Sequence, residues 1–243
     1  MELNFNNSLI NPNLDVESIR EEFTNNRVVV IDNFLLPEVA EKIHKYFTED
    51  MPFDWWRVST CPKANGESGF DLVINHEDYK DELKSNYIRS LEAFKDGEFS
   101  YNFHRTVGDH SDSCTCLECN FKSWLYSKEP ITFLNKSLDM TVSTTDEVFA
   151  AVYLPGDFLS PHVDSPNGSV GFVYQLTKNW KPQFGGNLHF LDHETMDVER
   201  VEVPKFNTLT LFDLPKGVGK WHYVSHVGPG VEELRLTYAG WYK

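Results

Sequence analysis

From residue 140 onward the chain breaks into short runs rich in β-branched and aromatic residues, at 149–153, 170–174, 187–191, 201–203, 208–212 and 234–241, each set off by turn-forming residues. Runs this short and this regularly spaced indicate an all-β sandwich or barrel. The last run reaches the end of the chain, so the closing residues are expected in the core. The first half has a different texture. Residues 26–33 hold a β-branched string that reads as a buried strand, and 38–47 follow with Val39, Ala40, Ile43 and Phe47 at helical spacing. Further helical patterns run over 77–94, with Tyr79, Leu83, Tyr87, Ile88 and Leu91 on one face, and over 121–138, with Trp124, Leu125, Ile131, Phe133 and Leu134. No linker or repeat divides the chain, so the expectation is one domain over 1–243, mostly β with flanking helices. In this division 1–139 supplies a strand, helical support and a Cys-rich insertion, and 140–243 forms the β core.

The balance of 22 Lys+Arg against 37 Asp+Glu gives a net charge of −15, a field that opposes phosphate backbones and anionic lipid. Neither nucleic acid nor a membrane is an expected partner. No run approaches a membrane span, and residues 1–4 lack the basic start and apolar block of a secretory signal, so a cytoplasmic location is expected. With only 4 Cys, reduced thiols or a metal site are expected in place of a disulfide scaffold.

The most informative string is Tyr153-Leu-Pro-Gly-Asp-Phe-Leu-Ser-Pro-His162-Val-Asp164. In an extended segment residues two apart share a face, so His162 and Asp164 can present an imidazole and a carboxylate side by side. A third ligand is offered by His222 in Trp221-His222-Tyr223-Val224-Ser225-His226-Val227. Two imidazoles and a carboxylate on one side of an ion leave its other positions open, the arrangement of a non-haem Fe(II) oxygenase. An isolated His-x-Asp is more often a solvated hydrogen-bonded pair in a turn. Arg235 lies in the apolar run 234–241, where a guanidinium needs an anion; an internal carboxylate or a side chain reaching the surface would also satisfy it.

Taken in order, Tyr-x-x-Gly-Asp-x-Leu-x-x-His-x-Asp at 153–164, Gly-Gly-x-Leu at 185–188, Trp-His-x-Val-x-x-Val at 221–227 and Arg-x-x-x-x-Gly-Trp at 235–241 resemble the 2-oxoglutarate- and Fe(II)-dependent dioxygenases of the prolyl-hydroxylase-like branch. The likeness spans about 148–242, and the leading strand and helix near 28–47 are similar to the start of these enzymes. The middle, about 51–139, is not explained by it. The resemblance implies a double-stranded β-helix (jelly roll) core packed against N-terminal helices. It implies Fe(II) on His162, Asp164 and His222, with Arg235 binding the distal carboxylate of 2-oxoglutarate and Tyr153 hydrogen-bonding the same cosubstrate. For Tyr153, plain packing is the competing reading.

The implied activity is hydroxylation of a peptide or protein side chain, with proline leading, O2 as oxidant and 2-oxoglutarate decarboxylated to succinate and CO2; ascorbate would be a supporting reductant. Asp164 stands where halogenating relatives have a small residue, and Trp241 stands where nucleic-acid dealkylases have a second arginine. Two other readings stay open. One is a hydroxylase of a free amino acid or other small molecule; the other is a β-helix binding module without redox chemistry.

Several residues keep more than one reading. His226 competes with His222 as second histidine ligand, because an even separation puts both on one face of a strand. His189 reads as a core or outer-face histidine, and His44, His76 and His193 have no assigned role. Trp55, Trp56, Trp180 and Trp241 read as packed residues. Cys114-Thr-Cys116-Leu-Glu-Cys119 could hold a structural zinc with His110, His104 or Cys61 completing the set, or be reduced thiols in a surface loop.

Overall fold

The structure, a computed structural model, describes residues 3–5, 7–61, 72–73, 80–106, 113–164, 168–214 and 219–243. The chain opens with α1 (Val16–Asn26), β1 (Val28–Asp32) and α2 (Pro37–Lys45), followed by β2 (Trp56–Thr60), β3 (Leu72–Val73), α3 (Lys80–Lys95) and β4 (Tyr101–Thr106). After α4 (Leu117–Leu125) and α5 (Lys128–Leu138) come β5 (Thr145–Tyr153), β6 (Phe158–His162), β7 (Val170–Gln175) and β8 (Leu188–Leu191). The last strands are β9 (Val198–Glu202), β10 (Thr208–Asp213), β11 (His222–Val224) and β12 (Arg235–Tyr242).

Among the described residues these strands form one antiparallel sheet in the order β1-β10-β7-β12-β5-β4-β6-β11-β8-β9, with β2 paired to β4 and β3 to β2. Curled on itself, the sheet makes a jelly roll. Period-two alternation divides its side chains between two cores. On β5, Val148, Ala150 and Val152 face the helices while Ala151 and Tyr153 face the interior of the roll; on β12, Leu236, Tyr238 and Tyr242 join the helix-side core. Both faces are covered, which is why these strands read as nearly continuous apolar runs.

The helical layer follows local rules. Asp15 caps α1 by accepting from the Ser18 N–H at 3.1 Å, and Ile19 and Phe23, one turn apart, are its buried residues. Pro37 starts α2, where its missing N–H costs nothing. The pattern over 121–138, read as one helix, is two helices. They break at Tyr126–Ser127 because Pro130 tolerates only a first turn: farther into a helix its ring would meet the carbonyl four residues back.

The middle also departs from its helical reading. β2 and β4 are full members of the sheet, and β4 lies between β5 and β6. The Tyr101-Asn-Phe103-His-Arg105-Thr run carries the strand alternation, with Tyr101 and Phe103 on the interior side.

Candidate metal centre

His162 closes β6 and sits directly across from His222 of β11, so strand register alone brings their rings to 4.3 Å. Asp164, two residues past His162, places one carboxylate oxygen 3.2 Å from His162 Nε2 and the other 3.4 Å from His222 Nε2. One candidate donor atom from each of the three residues lies within 4.8 Å of the other two. Both imidazoles are turned the same way. His162 Nδ1 lies 3.0 Å from the Ser160 carbonyl and His222 Nδ1 2.9 Å from the Lys220 carbonyl, so each Nδ1–H donates outward and each Nε2 lone pair faces the carboxylate. The donor set, with its tautomers fixed by backbone, fits a facial triad for a divalent metal.

Burial lowers the His222 pKa to about 4, reinforced by the neighbouring His162, so the ring is a neutral donor at physiological pH. Burial alone would raise Asp164; the adjacent His222 and His162 and a hydrogen bond from Trp241 overcome it and hold the carboxyl well below the ordinary carboxylate range.

Arg235 starts β12 and is only 1% exposed. It lines the same cavity as the triad, a space of about 80 Å³ that also touches Tyr153, Leu188, Thr237 and Trp241. Its Nε–H donates to the Gly186 carbonyl, and its guanidinium lies over the Tyr153 ring at 4.4 Å. Among the described residues no carboxylate pairs with it. Burial lowers its pKa to about 10, still high enough to keep the charge. The Tyr153 phenol is pushed up to about 12 by burial, so its hydroxyl keeps its proton.

The Gly185-Gly186 pair lets the arginine in. Both have positive φ, +70° and +62°; a Cβ on Gly185 would lie 2.0 Å from the His226 carbonyl oxygen, and one on Gly186 would lie 2.9 Å from Arg235 Cδ.

A wider groove of about 510 Å³ adjoins the triad, lined by Phe99, Tyr101, Phe103, Phe149, Trp221 and Trp241 among others. The β4 aromatics and Trp221 are functional-site candidates that sequence reasoning missed, although alternation along β4 carried their signal. Asp157 was missed too. Buried at 3% exposure, it accepts from the Leu154 N–H at 2.8 Å and from Asn102 at 2.6 Å, and lies 3.0 Å from His104 Nδ1, tying the Tyr153–Phe158 turn to β4.

The remaining histidines lie elsewhere. β11 ends at Val224, so strand alternation does not extend to His226, whose ring stacks on Phe158 at 4.4 Å, outside the triad. His189 stacks on Tyr223 at 4.4 Å. Trp180 donates to the Gly185 carbonyl at 2.9 Å, and Trp56 belongs to the helix-side core. The sulfurs of Cys114, Cys116 and Cys119 are brought together, whereas His110 and His76 lie outside the described residues. His104 is engaged by Asp157, and Cys61 is buried with its thiol directed to the Phe99 carbonyl.

Residues 148–243 match the family model of the 2OG-Fe(II) oxygenase superfamily. The chain is similar to a crystal structure of a Pseudomonas putida prolyl-4-hydroxylase, with 15% identity, 98% of this chain and 97% of that one covered, and a TM-score of 0.53. It is also similar to a 2OG-Fe(II) oxygenase-family oxidoreductase from Burkholderia pseudomallei, with 11% identity, coverage of 95% and 92%, and a TM-score of 0.59. No curated protein matches it. The β core from residue 148 to the end thus matches the 2OG-Fe(II) oxygenase superfamily model, and the chain as a whole shares the fold of these two solved structures.

Proposed function

We propose that His162, Asp164 and His222 hold Fe(II), that Arg235 binds the distal carboxylate of 2-oxoglutarate, and that the enzyme hydroxylates a peptide or protein side chain, with proline the leading candidate. The observation that carries this reading is the enclosed Arg235 guanidinium, charged and without a carboxylate partner among the described residues, in one cavity with two histidines and an aspartate. A buried charge without a counter-ion is costly, and an incoming dicarboxylate removes that cost.

Bound Fe(II) with 2-oxoglutarate supplies the oxidising chemistry, consuming O2 and releasing succinate and CO2. The chain's own residues bind, orient and enclose. Backbone carbonyls at Ser160 and Lys220 hold the Nδ1 side of each imidazole, so that each ring presents its Nε2 to the metal. Asp164, ionised at neutral pH, supplies negative charge to the metal. Arg235 is held from behind by Gly186 and from one face by Tyr153, leaving guanidinium N–H groups for a carboxylate and the protonated Tyr153 hydroxyl for a second hydrogen bond. Phe212 and Phe190 pack beside His222 and restrict water.

The substrate reading rests on the groove. Its aromatic walls offer flat faces to an apolar ring such as pyrrolidine, and its space of about 510 Å³, open to solvent, admits a residue carried on a peptide segment. A panel of peptides and metabolites, incubated with Fe(II), 2-oxoglutarate and ascorbate and read by the mass gain of one oxygen, tests this. Oxygen gain on a prolyl peptide is expected. Gain confined to free metabolites would transfer the activity to small molecules, and 2-oxoglutarate turnover unaffected by Asp164→Ala would refute the metal assignment.

A further inference from the structure

The dioxygenase chemistry uses none of Cys114, Cys116 and Cys119. Their three sulfurs lie within 4.8 Å of one another, none of them is in a disulfide, and each residue is partly buried. The arrangement is local and built. Cys116 is the N-cap of α4, and the Cys119 N–H donates to its sulfur at 3.4 Å, which folds both side chains over the first helical turn while Cys114 returns to the same spot from two residues upstream. The Tyr46 hydroxyl is enclosed, has no well-formed hydrogen bond of its own and faces the Cys116 side chain. A phenol in that position can donate to a metal-bound thiolate.

We propose that Cys114, Cys116 and Cys119 bind a structural zinc ion that fastens the start of α4. Thiolates about 2.3 Å from a tetrahedral zinc sit roughly 3.8 Å apart, a spacing three sulfurs already this close reach with little movement. Each thiol gives its proton to solvent as the ion binds, and nothing is oxidised or reduced. The backbone N–H groups at the helix start offset part of the thiolate charge. Three sulfurs leave one tetrahedral position for water or a further ligand. The consequence is mechanical: α4 carries Phe121, Trp124 and Leu125 into the helix-side core, and Phe121 meets Tyr238 of β12 at 5.1 Å, on the strand that begins with Arg235.

The test is metal analysis of the full chain purified under reducing conditions from zinc-replete culture. About one zinc per chain is expected, lost in Cys114→Ser and Cys119→Ser and kept in a His162→Ala/Asp164→Ala variant, which removes the proposed iron site. In a second measurement, Co(II) added to the reduced wild-type chain should give thiolate charge-transfer absorption, which a mercurial reagent abolishes; this holds even where a serine variant fails to fold. Zinc lost with the triad variant but kept without the cysteines would overturn the proposal. So would zinc-free protein that gives no thiolate absorption with Co(II), or a native disulfide within the cluster.

Discussion

A guanidinium held over a tyrosine ring and tied to one backbone carbonyl uses only part of its donor fork, so Arg235 makes the sharpest demand of any single residue here. Arg235→Gln should leave Fe(II) binding unchanged while weakening 2-oxoglutarate binding by roughly 2–5 kcal/mol, at least about 30-fold, as measured by anaerobic titration. Gly186→Ala probes the same point from behind. Its Cβ would press on Arg235 Cδ at 2.9 Å and place a side chain at φ +62°, so we expect weaker 2-oxoglutarate binding together with a stability loss of about 1–2 kcal/mol. An alanine variant matching the wild type in both respects would show that the guanidinium position is not set by this approach.

His222 gives a pH signature. Its folded pKa, about 4, lies below the ordinary 6.5, so the unfolded chain binds a proton in that window that the folded site refuses. The associated stability is intact above the unfolded value and is lost as pH falls through the folded one. Asp164, held lower still, stays ionised throughout. Thermal unfolding of the metal-free protein should therefore weaken more steeply across this window than that of His222→Asn. Parallel pH profiles for the two proteins would contradict the burial-driven shift.

At the level of elements, the site depends on β4 holding the turn between β5 and β6. Asp157→Ala would remove the acceptor shared by Leu154, Asn102 and His104, leaving those groups without it in the interior. The expected cost is roughly 3–5 kcal/mol in denaturant unfolding. Phe121→Ala, which empties the contact of α4 with β12, should cost about 3–5 kcal/mol by the same measurement.

These elements also show where the sequence was informative. The later strands were readable because turn residues separate their apolar runs, and His162 and Asp164 because extended chain aligns residues two apart. The partnership of His162 with His222 depends on the β6–β11 register, which no local pattern encodes. The role of β4 was obscured because its alternating residues sit amid helical patterns and pair with strands far along the chain. α1, capped by Asp15 and burying Ile19 and Phe23, went unread because a single apolar turn is a short signal, and the break after Leu125 turned on a single proline.

For the molecule as a whole, metal and cosubstrate should act as a clamp between the two sides of the roll. His162 and His222 lie on β6 and β11, Arg235 and Tyr153 on β12 and β5, and ligands bound by both pairs stabilise only the folded arrangement. At about 100 times the dissociation constant, a ligand adds roughly 2.7 kcal/mol, which for a chain of this size raises Tm by about 5–10 °C. The predicted rise is larger with Fe(II) and 2-oxoglutarate together than with Fe(II) alone and is absent from Asp164→Ala. The most direct test is anaerobic equilibrium binding of Fe(II) to the wild-type, His162→Ala and Asp164→Ala proteins, with the cysteines intact. The account predicts about one iron per chain that is lost in both variants while bound zinc is unchanged; iron retained at wild-type stoichiometry in both variants would contradict it.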